Sequence, residues 1–177
     1  AGQVCTSVQR LYLDSRIAAP FTEALVDATR KIVYGDPARA GTVVGPMISR
    51  SHAERAFSWV QEAQAQGAEV LVGGTLEGSV MAPTILRRVT PAMRVVCEEI
   101  FAPVFSIIEF DDVTRAFEMA NDQPYGLAAG VFTSNLHTAF AAARALDFGG
   151  IHINETSSAR VDAMPFGGIK DLSLIHI

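Results

Sequence analysis

The sequence has 177 residues, of which 49% are apolar and 19% charged, with a formal net charge of −5 at pH 7. A chain of this length and composition can bury its own core, which excludes a disordered segment. The acidic balance gives no support to nucleic-acid binding, and no stretch is apolar enough to predict a membrane-spanning helix. The four histidines and two cysteines lack zinc-ligand spacing, so we expect no metal site. Two free thiols are typical of a cytoplasmic protein.

Short apolar segments alternate along the chain with segments of helical periodicity. In chain order, the pattern predicts a strand over 7–13, a helix containing Pro20, a helix from Ser51, strands over 69–72, 84–89 and 104–110, a helix from Asp111–Asp112, a strand over 127–132, a helix capped by Ser134 or Asn135, and a strand over 151–154. This alternation predicts an α/β fold with a largely parallel, buried sheet flanked by helices. No linker interrupts it, so residues 1–171 are predicted to form one domain.

The expected ends of the first two helices follow from local signals. Pro20 suits the first turn of a helix because it lacks an N–H, and that helix is expected to end before Gly35. Ser51 and Glu54 have the spacing of a capping box, which would start the second helix. Gly67 is a natural C-terminal stop for it.

Cys5 is the first candidate for chemistry. An isolated cysteine in a globular protein is more often a small, buried apolar residue. The run Gly2-Gln3-Val4-Cys5, however, is a Gly-containing loop before a predicted strand, where α/β proteins place reactive groups. Free backbone N–H groups in such a loop can stabilise a thiolate. From these residues alone, both interpretations stay open.

Two further clusters have alternative interpretations. The acidic pair in Glu98-Glu99-Ile100-Phe101 is either a solvated loop or a source of a carboxylate that accepts hydrogen bonds from ribose hydroxyls. The two glycines after Phe166 indicate either a tight turn under a core ring or a close backbone approach to a ligand. In the second case, Phe166 would form an apolar wall of the ligand site.

Taken together, these motifs resemble the NAD(P)-dependent aldehyde dehydrogenase superfamily. The cysteine loop is similar to its active-site signature, the run from Glu98 to its second signature, and Pro165-Phe166-Gly167-Gly168-Ile169-Lys170 to its C-terminal signature. Gly45-Pro46-Met47 and the run from Asn121 to Leu127 are weaker matches. One such motif would be weak evidence, but five in the expected order leave little room for chance.

The resemblance implies roles for four residues. Cys5 would attack an aldehyde as a thiolate, giving a thiohemiacetal and, after hydride transfer to NAD or NADP, a thioester that is hydrolysed to the acid. Its backbone N–H would donate to the developing oxyanion. Glu99 would hold the nicotinamide ribose, and Phe101 would lie beside the nicotinamide ring. Phe166 would line the pocket for a small aldehyde.

The loop over residues 153–162, followed by the Phe-Gly-Gly turn, is similar to the lactaldehyde and glyceraldehyde-3-phosphate branch of the superfamily. The alternative is a surface loop in which Arg160 and Asp162 merely pair, which contributes little to stability. The loop does not identify which aldehyde is oxidised.

The resemblance also implies that part of the site lies outside this sequence. Family members carry a cofactor-binding domain, an oxyanion asparagine and a general-base glutamate upstream of the cysteine. We therefore expect residues 1–171 to be a catalytic domain truncated at both ends, inactive alone, from a homo-oligomeric parent. Residues 172–177 are expected to be a non-native tail encoded by a sequencing adapter.

Three alternative functions stay open at this point. A CoA-acylating aldehyde dehydrogenase would share most of these motifs. A non-redox cysteine acyltransferase or hydrolase would also use a loop cysteine, although it would need a histidine base that no motif supplies. A non-catalytic binding domain would make the motifs accidental. Nucleic-acid and membrane partners are not expected for any of the three.

Overall fold

The computed structural model describes residues 2–172, which divide into two compact units: one up to Glu109 and one from Phe110 onward. Each unit is described by itself below. The single domain predicted over residues 1–171 stays a prediction. Most of the expected non-native tail, residues 173–177, lies outside the described residues.

The first unit is built on a four-stranded sheet. Its elements are β1 (Arg10–Asp14), α1 (Ser15–Arg30), α2 (Arg50–Ala65), β2 (Glu69–Val72), β3 (Leu76–Glu77), β4 (Val80–Met81), β5 (Thr84–Arg87), α3 (Arg94–Cys97) and β6 (Val104–Phe110). The strand order is β1-β6-β5-β2, and β3 pairs with β4 in a separate antiparallel hairpin. Strands β5 and β6 run parallel, whereas β2 runs antiparallel to β5.

Helices cover both faces of this sheet. Neighbouring residues of β5 contribute to different cores because successive side chains of a strand point to opposite faces. Ile85 packs in the core that contains Val26 of α1. Leu86 packs in the core that contains Trp59 and Val60 of α2. Ile85 and Leu86 are both fully buried, and each contributes about 1.5–3 kcal/mol of hydrophobic stabilisation.

The predicted α/β class is confirmed, but the sheet is mixed rather than largely parallel. The antiparallel pairing of β2 with β5 is the difference. A parallel pairing needs a crossover connection of about a dozen residues or more, usually helical. Residues 73–83 between these strands contain only the β3–β4 hairpin. The apolar pattern could not reveal this because it does not encode strand direction.

Helix α1 begins five residues before the predicted position. Asp14, the last residue of β1, caps the helix by accepting a hydrogen bond from the Arg16 N–H at 3.0 Å. Pro20 therefore lies inside α1 rather than in its first turn, and the prediction was wrong. The Asp14 carboxylate satisfies a first-turn N–H group, so the helix starts at the end of the strand, and Pro20 costs it one interior backbone hydrogen bond. The helix ends at Arg30, before Gly35 as expected.

Helix α2 is capped by Ser49, so the predicted capping box of Ser51 and Glu54 was wrong. The Ser49 side chain accepts a hydrogen bond from the His52 N–H at 3.2 Å. Serine is a favoured N-cap residue, so both Ser49 and Ser51 could cap the helix, and Ser49 does so. The expected stop is confirmed, because α2 ends at Ala65, just before Gly67.

The second unit contains α4 (Val113–Asn121), β7 (Tyr125–Gly126), β8 (Ala128–Val131), α5 (Leu136–Ala145), β9 (Gly150–Ile153) and β10 (Ile169–Lys170). Strands β8 and β9 run parallel, and β10 runs antiparallel to β7. Phe117 of α4 packs with Ala142 and Leu146 in a small core. The predicted caps are confirmed at Asp112 and Asn135, whose side chains accept hydrogen bonds from first-turn N–H groups.

The cap of α1 predicts a loss of stability in acid. Hydrogen bonds from the Arg16 side chain and backbone lower the pKa of Asp14 from 3.8 to about 2. A carboxyl with a lowered folded-state pKa stabilises the fold above its unfolded-state pKa, and this contribution disappears as the pH falls towards the folded-state value. Thermal unfolding of the chain should therefore show a midpoint that falls below pH 3.8, and Asp14→Asn should reduce that fall.

A matched control for this measurement is Asp27→Asn, on the exposed face of α1. It should leave the acid-dependent fall of the midpoint in place. Part of the fall should also persist in Asp14→Asn, because hydrogen bonding from Arg87 lowers the pKa of Glu69 as well. Equal acid dependence in Asp14→Asn and the unchanged chain would contradict the assignment.

Candidate active site

Cys5 lies in a tight turn just before β1. The Ser7 N–H donates to the Val4 carbonyl oxygen at 2.9 Å and closes the turn. The Cys5 side chain is exposed and its thiol is free. A thiol on an exposed turn is accessible to other molecules, so the interpretation of Cys5 as an inert core residue does not hold.

Gly2 brings the cysteine loop into contact with the segment before β6. Its φ is +76°, in the left-handed region that favours glycine. A Cβ atom at this position would lie 2.2 Å from the carbonyl oxygen of Ala102. Only glycine therefore allows the backbone of the cysteine loop to approach this closely.

Gln3 joins the cysteine loop to the run Gly45-Pro46-Met47. Its Nε2 donates to the Pro46 carbonyl oxygen at 3.2 Å, and its Oε1 accepts from the Ile48 N–H at 2.9 Å. The weaker motif at residues 45–47 thus contacts the loop that carries Cys5. The two motifs are about 40 residues apart in the sequence, and only the folded chain brings them into contact.

The second motif lies against the same loop. Cys5, Glu99 and Phe101 line one small pocket, together with Gly2, Val4, Ser7, Val8, Gln9, Ile100 and Ala102. Glu99 is exposed, and no described residue forms a hydrogen bond or ion pair with its carboxylate. Phe101 is partly buried beside it. Three of the four residues singled out from the sequence are therefore brought together.

The arrangement of this pocket suits covalent chemistry beside a polar ligand. An accessible thiol can attack an electrophilic carbon, provided that its thiolate is stabilised. The Glu99 carboxylate has two oxygens available as acceptors, which fits the paired hydroxyls of a ribose. The Phe101 side chain offers an apolar surface at the same pocket. The residues present therefore fit part of a nicotinamide nucleotide.

Phe166 belongs to the second unit, in the turn before β10. Its side chain is 45% exposed, so it is not the core ring that one interpretation of the two glycines required. The guanidinium of Arg160 lies 4.4 Å from the centre of the Phe166 ring. This cation–π contact replaces the pairing of Arg160 with Asp162 considered from the sequence.

Among residues 2–172, no group of three or more His, Cys, Asp or Glu side chains is placed to hold a metal ion. Within the same range, no helix is long and apolar enough to cross a membrane.

The chain is similar to known proteins of one family. The family model described as the aldehyde dehydrogenase family matches residues 1–174. A 3-sulfolactaldehyde dehydrogenase from Priestia megaterium is 43% identical over 170 residues, which are 96% of this chain and 36% of that protein.

Two solved structures illustrate the fold. Glyceraldehyde-3-phosphate dehydrogenase GapN from Methanocaldococcus jannaschii, complexed with NADP, has a TM-score of 0.94 and 38% identity, covering 98% of this chain and 38% of that one. Betaine aldehyde dehydrogenase from Staphylococcus aureus, in complex with NAD+, has a TM-score of 0.90 and 34% identity, covering 96% of this chain and 35% of that one.

The first unit is thus an α/β scaffold with an exposed turn cysteine and a carboxylate at one pocket. The chain belongs to the aldehyde dehydrogenase family. The lactaldehyde and glyceraldehyde-3-phosphate branch predicted from residues 153–162 is also supported by its relatives. The chain spans only 36% of the length of the 3-sulfolactaldehyde dehydrogenase, and a similar share of the two solved structures.

Proposed function

We propose that the full-length protein containing this chain oxidises an aldehyde to the carboxylic acid with NAD or NADP. The observation that carries the proposal is the shared pocket of Cys5, Glu99 and Phe101 in a member of the aldehyde dehydrogenase family. Because the chain is about a third as long as its relatives, the activity is assigned to the longer protein.

Cys5 is the proposed nucleophile. Its thiolate would attack the carbonyl carbon to form a carbon–sulfur bond, and the Cys5 N–H would donate to the resulting oxyanion. This thiohemiacetal oxyanion loses a hydride to become a thioester, and hydrolysis by water then releases the acid and the thiol. The nicotinamide, when bound, supplies the hydride acceptor. No general base is assigned within this chain, and Glu98 is not proposed as one.

The roles proposed for the other site residues concern binding. Glu99 would accept hydrogen bonds from the nicotinamide ribose, because its carboxylate is exposed at the Cys5 pocket. Phe101 would lie beside the nicotinamide ring. Phe166 would line the aldehyde pocket, as the resemblance of residues 165–170 to the family implies.

The proposed substrate is a small, polar aldehyde. One of the relatives named above acts on betaine aldehyde, which is cationic, but the other two act on 3-sulfolactaldehyde and glyceraldehyde 3-phosphate, which are short aldehydes with an anionic group. Arg160, exposed above the Phe166 ring, would provide a positive charge suited to such a group.

We also propose a cytoplasmic homo-oligomer, as expected for a protein with free thiols and this family membership.

The proposal is tested by assaying the full-length protein with a panel of short aldehydes and either cofactor. We expect reduced cofactor to form, with one carboxylic acid released per reduced cofactor. Product analysis with added CoA separates the alternatives: an acyl-CoA product would indicate a CoA-acylating enzyme. Hydrolysis of activated esters without any cofactor reduction by aldehydes would instead indicate a thiol hydrolase and contradict the proposal.

A further inference from the structure

We propose that Gln9 and Arg55 are positioning residues that hold the backbone at Ile100 and thereby present Glu99 and Phe101 to the Cys5 pocket. The expected effect on turnover rests on the proposed function. The backbone contacts of Gln9 and Arg55 do not depend on the proposed function, and they can be measured separately.

Gln9, the residue just before β1, connects the chain after Cys5 with the segment that carries Glu99. Its Nε2 donates to the carbonyl oxygens of Val95 and Glu98, at 3.1 and 2.7 Å. Its Oε1 accepts from the Ile100 N–H at 3.2 Å. Its own carbonyl oxygen accepts from the Ser106 N–H of β6 at 2.8 Å, so this backbone is fixed to the sheet. A primary amide can donate twice and accept at once, which neither a carboxylate nor an ammonium group can do.

Arg55 holds the other side of the same residue. Its Nη2 donates to the Ile100 carbonyl oxygen at 2.9 Å. The guanidinium lies 4.5 Å from the centre of the Trp59 ring, which is almost fully buried, and Arg94 lies 4.3 Å from the same ring centre. Stacking on a buried ring limits the conformations of a long side chain, so the donor is held in place.

The contacts of Gln9 and Arg55 hold Ile100, which precedes a residue with a strained backbone, Phe101. Ile100 is buried, and both of its backbone polar groups bind side chains from elements outside its own segment. The next residue, Phe101, has φ of +51°, a conformation that is unfavourable for a non-glycine residue. Such a conformation persists only where the surrounding structure fixes it. Gln9 and Arg55 supply that restraint, and the residues on either side of Ile100, Glu99 and Phe101, both line the Cys5 pocket.

The test compares Gln9→Ala, Gln9→Glu, Arg55→Ala and the double variant Gln9→Ala/Arg55→Ala in the full-length protein. Three quantities are measured: hydrogen exchange at the Ile100 amide, KM and kcat with NAD or NADP, and the rate at which iodoacetamide alkylates Cys5. Gln61→Ala, on the exposed surface of α2, is the matched control.

We expect faster exchange at Ile100 in Gln9→Ala, with kcat/KM for the cofactor lowered by about 10- to 100-fold, as for other small misplacements of binding groups. Cys5 alkylation should be unchanged, because the thiol turn itself is intact. Gln9→Glu has almost the same size, yet it should be no better than alanine because its carboxylate faces two carbonyl oxygens. The double variant should be little worse than either single variant, since both residues hold one turn.

Three results would overturn the proposal. They are unchanged exchange at Ile100 in Gln9→Ala, faster exchange with unchanged cofactor kinetics, and a loss of kcat/KM matched by an equal loss of Cys5 alkylation, which would place the defect at the cysteine turn rather than at Ile100. If the unaltered protein reduces no cofactor with any aldehyde, the proposed function fails instead. Exchange at Ile100 then still decides whether Gln9 and Arg55 hold the turn.

Discussion

We expect Cys5→Ala to abolish aldehyde oxidation by the full-length protein, with kcat lower by at least about 10⁴-fold, as when the nucleophile of a covalent mechanism is removed. The sulfur forms the only covalent bond between protein and substrate in the proposed mechanism. Binding of NAD or NADP should be retained, because Glu99 and Phe101 are unchanged. Steady-state kinetics and calorimetric titration of the cofactor measure the two effects separately.

The other cysteine provides the matched control. Cys97 is partly buried, its thiol donates to the Ala92 carbonyl oxygen at 3.7 Å, and it does not line the Cys5 pocket. Cys97→Ala should therefore retain turnover. Substantial aldehyde oxidation by Cys5→Ala would refute the assignment of the nucleophile. Equal loss in both variants would mean that the effect is not specific to the site.

The second large effect is expected for Gly2→Ala. The new Cβ would lie 2.2 Å from the Ala102 carbonyl oxygen, so the cysteine loop must move away from the segment before β6. The left-handed φ of +76° adds about 1–2 kcal/mol of backbone strain for alanine. Because a displacement of about 1 Å can reduce turnover about 10²-fold, we expect a loss of that order in kcat/KM.

Gly41→Ala separates the effect of the steric clash from the effect of the backbone strain. Gly41 also has a left-handed φ, +85°, but a Cβ there would meet no atom within 4 Å. In the Gly41→Ala control, the backbone strain should lower the free energy of unfolding, and kcat/KM should be unchanged. A Gly2→Ala protein with the kinetics of Gly41→Ala would contradict the close approach between the cysteine loop and Ala102.

The secondary structure was predicted best where one local signal acts alone. The strands over residues 69–72 and 104–110 have the predicted ends, because short apolar runs there are bounded by turn-forming or acidic residues. The caps at Asp112 and Asn135 were also predicted. The start of α2 was wrong because two serines compete as caps, and only the folded backbone selects Ser49.

The candidate site was predicted in part. Short motifs pointed to Cys5, Glu99 and Phe101, and the tertiary structure places them at one pocket. The sequence did not predict the supporting residues Gln9 and Arg55, because neither belongs to a motif that indicates chemistry. Their importance depends on their contacts with Ile100. In the sequence, Ile100 is 91 residues from Gln9 and 45 residues from Arg55.

By itself, the sequence determined the α/β class and most of the strands, and its resemblance to a family pointed to Cys5 as the candidate nucleophile. These follow from local patterns of apolar, turn-forming and chemically reactive residues, which the chain encodes over a few positions at a time. Only the tertiary structure decided the mixed direction of the sheet, the exposure of Cys5 and the close approach at Gly2. Strand direction, solvent exposure and contacts across the chain depend on how distant segments pack, because these properties arise only when the chain folds.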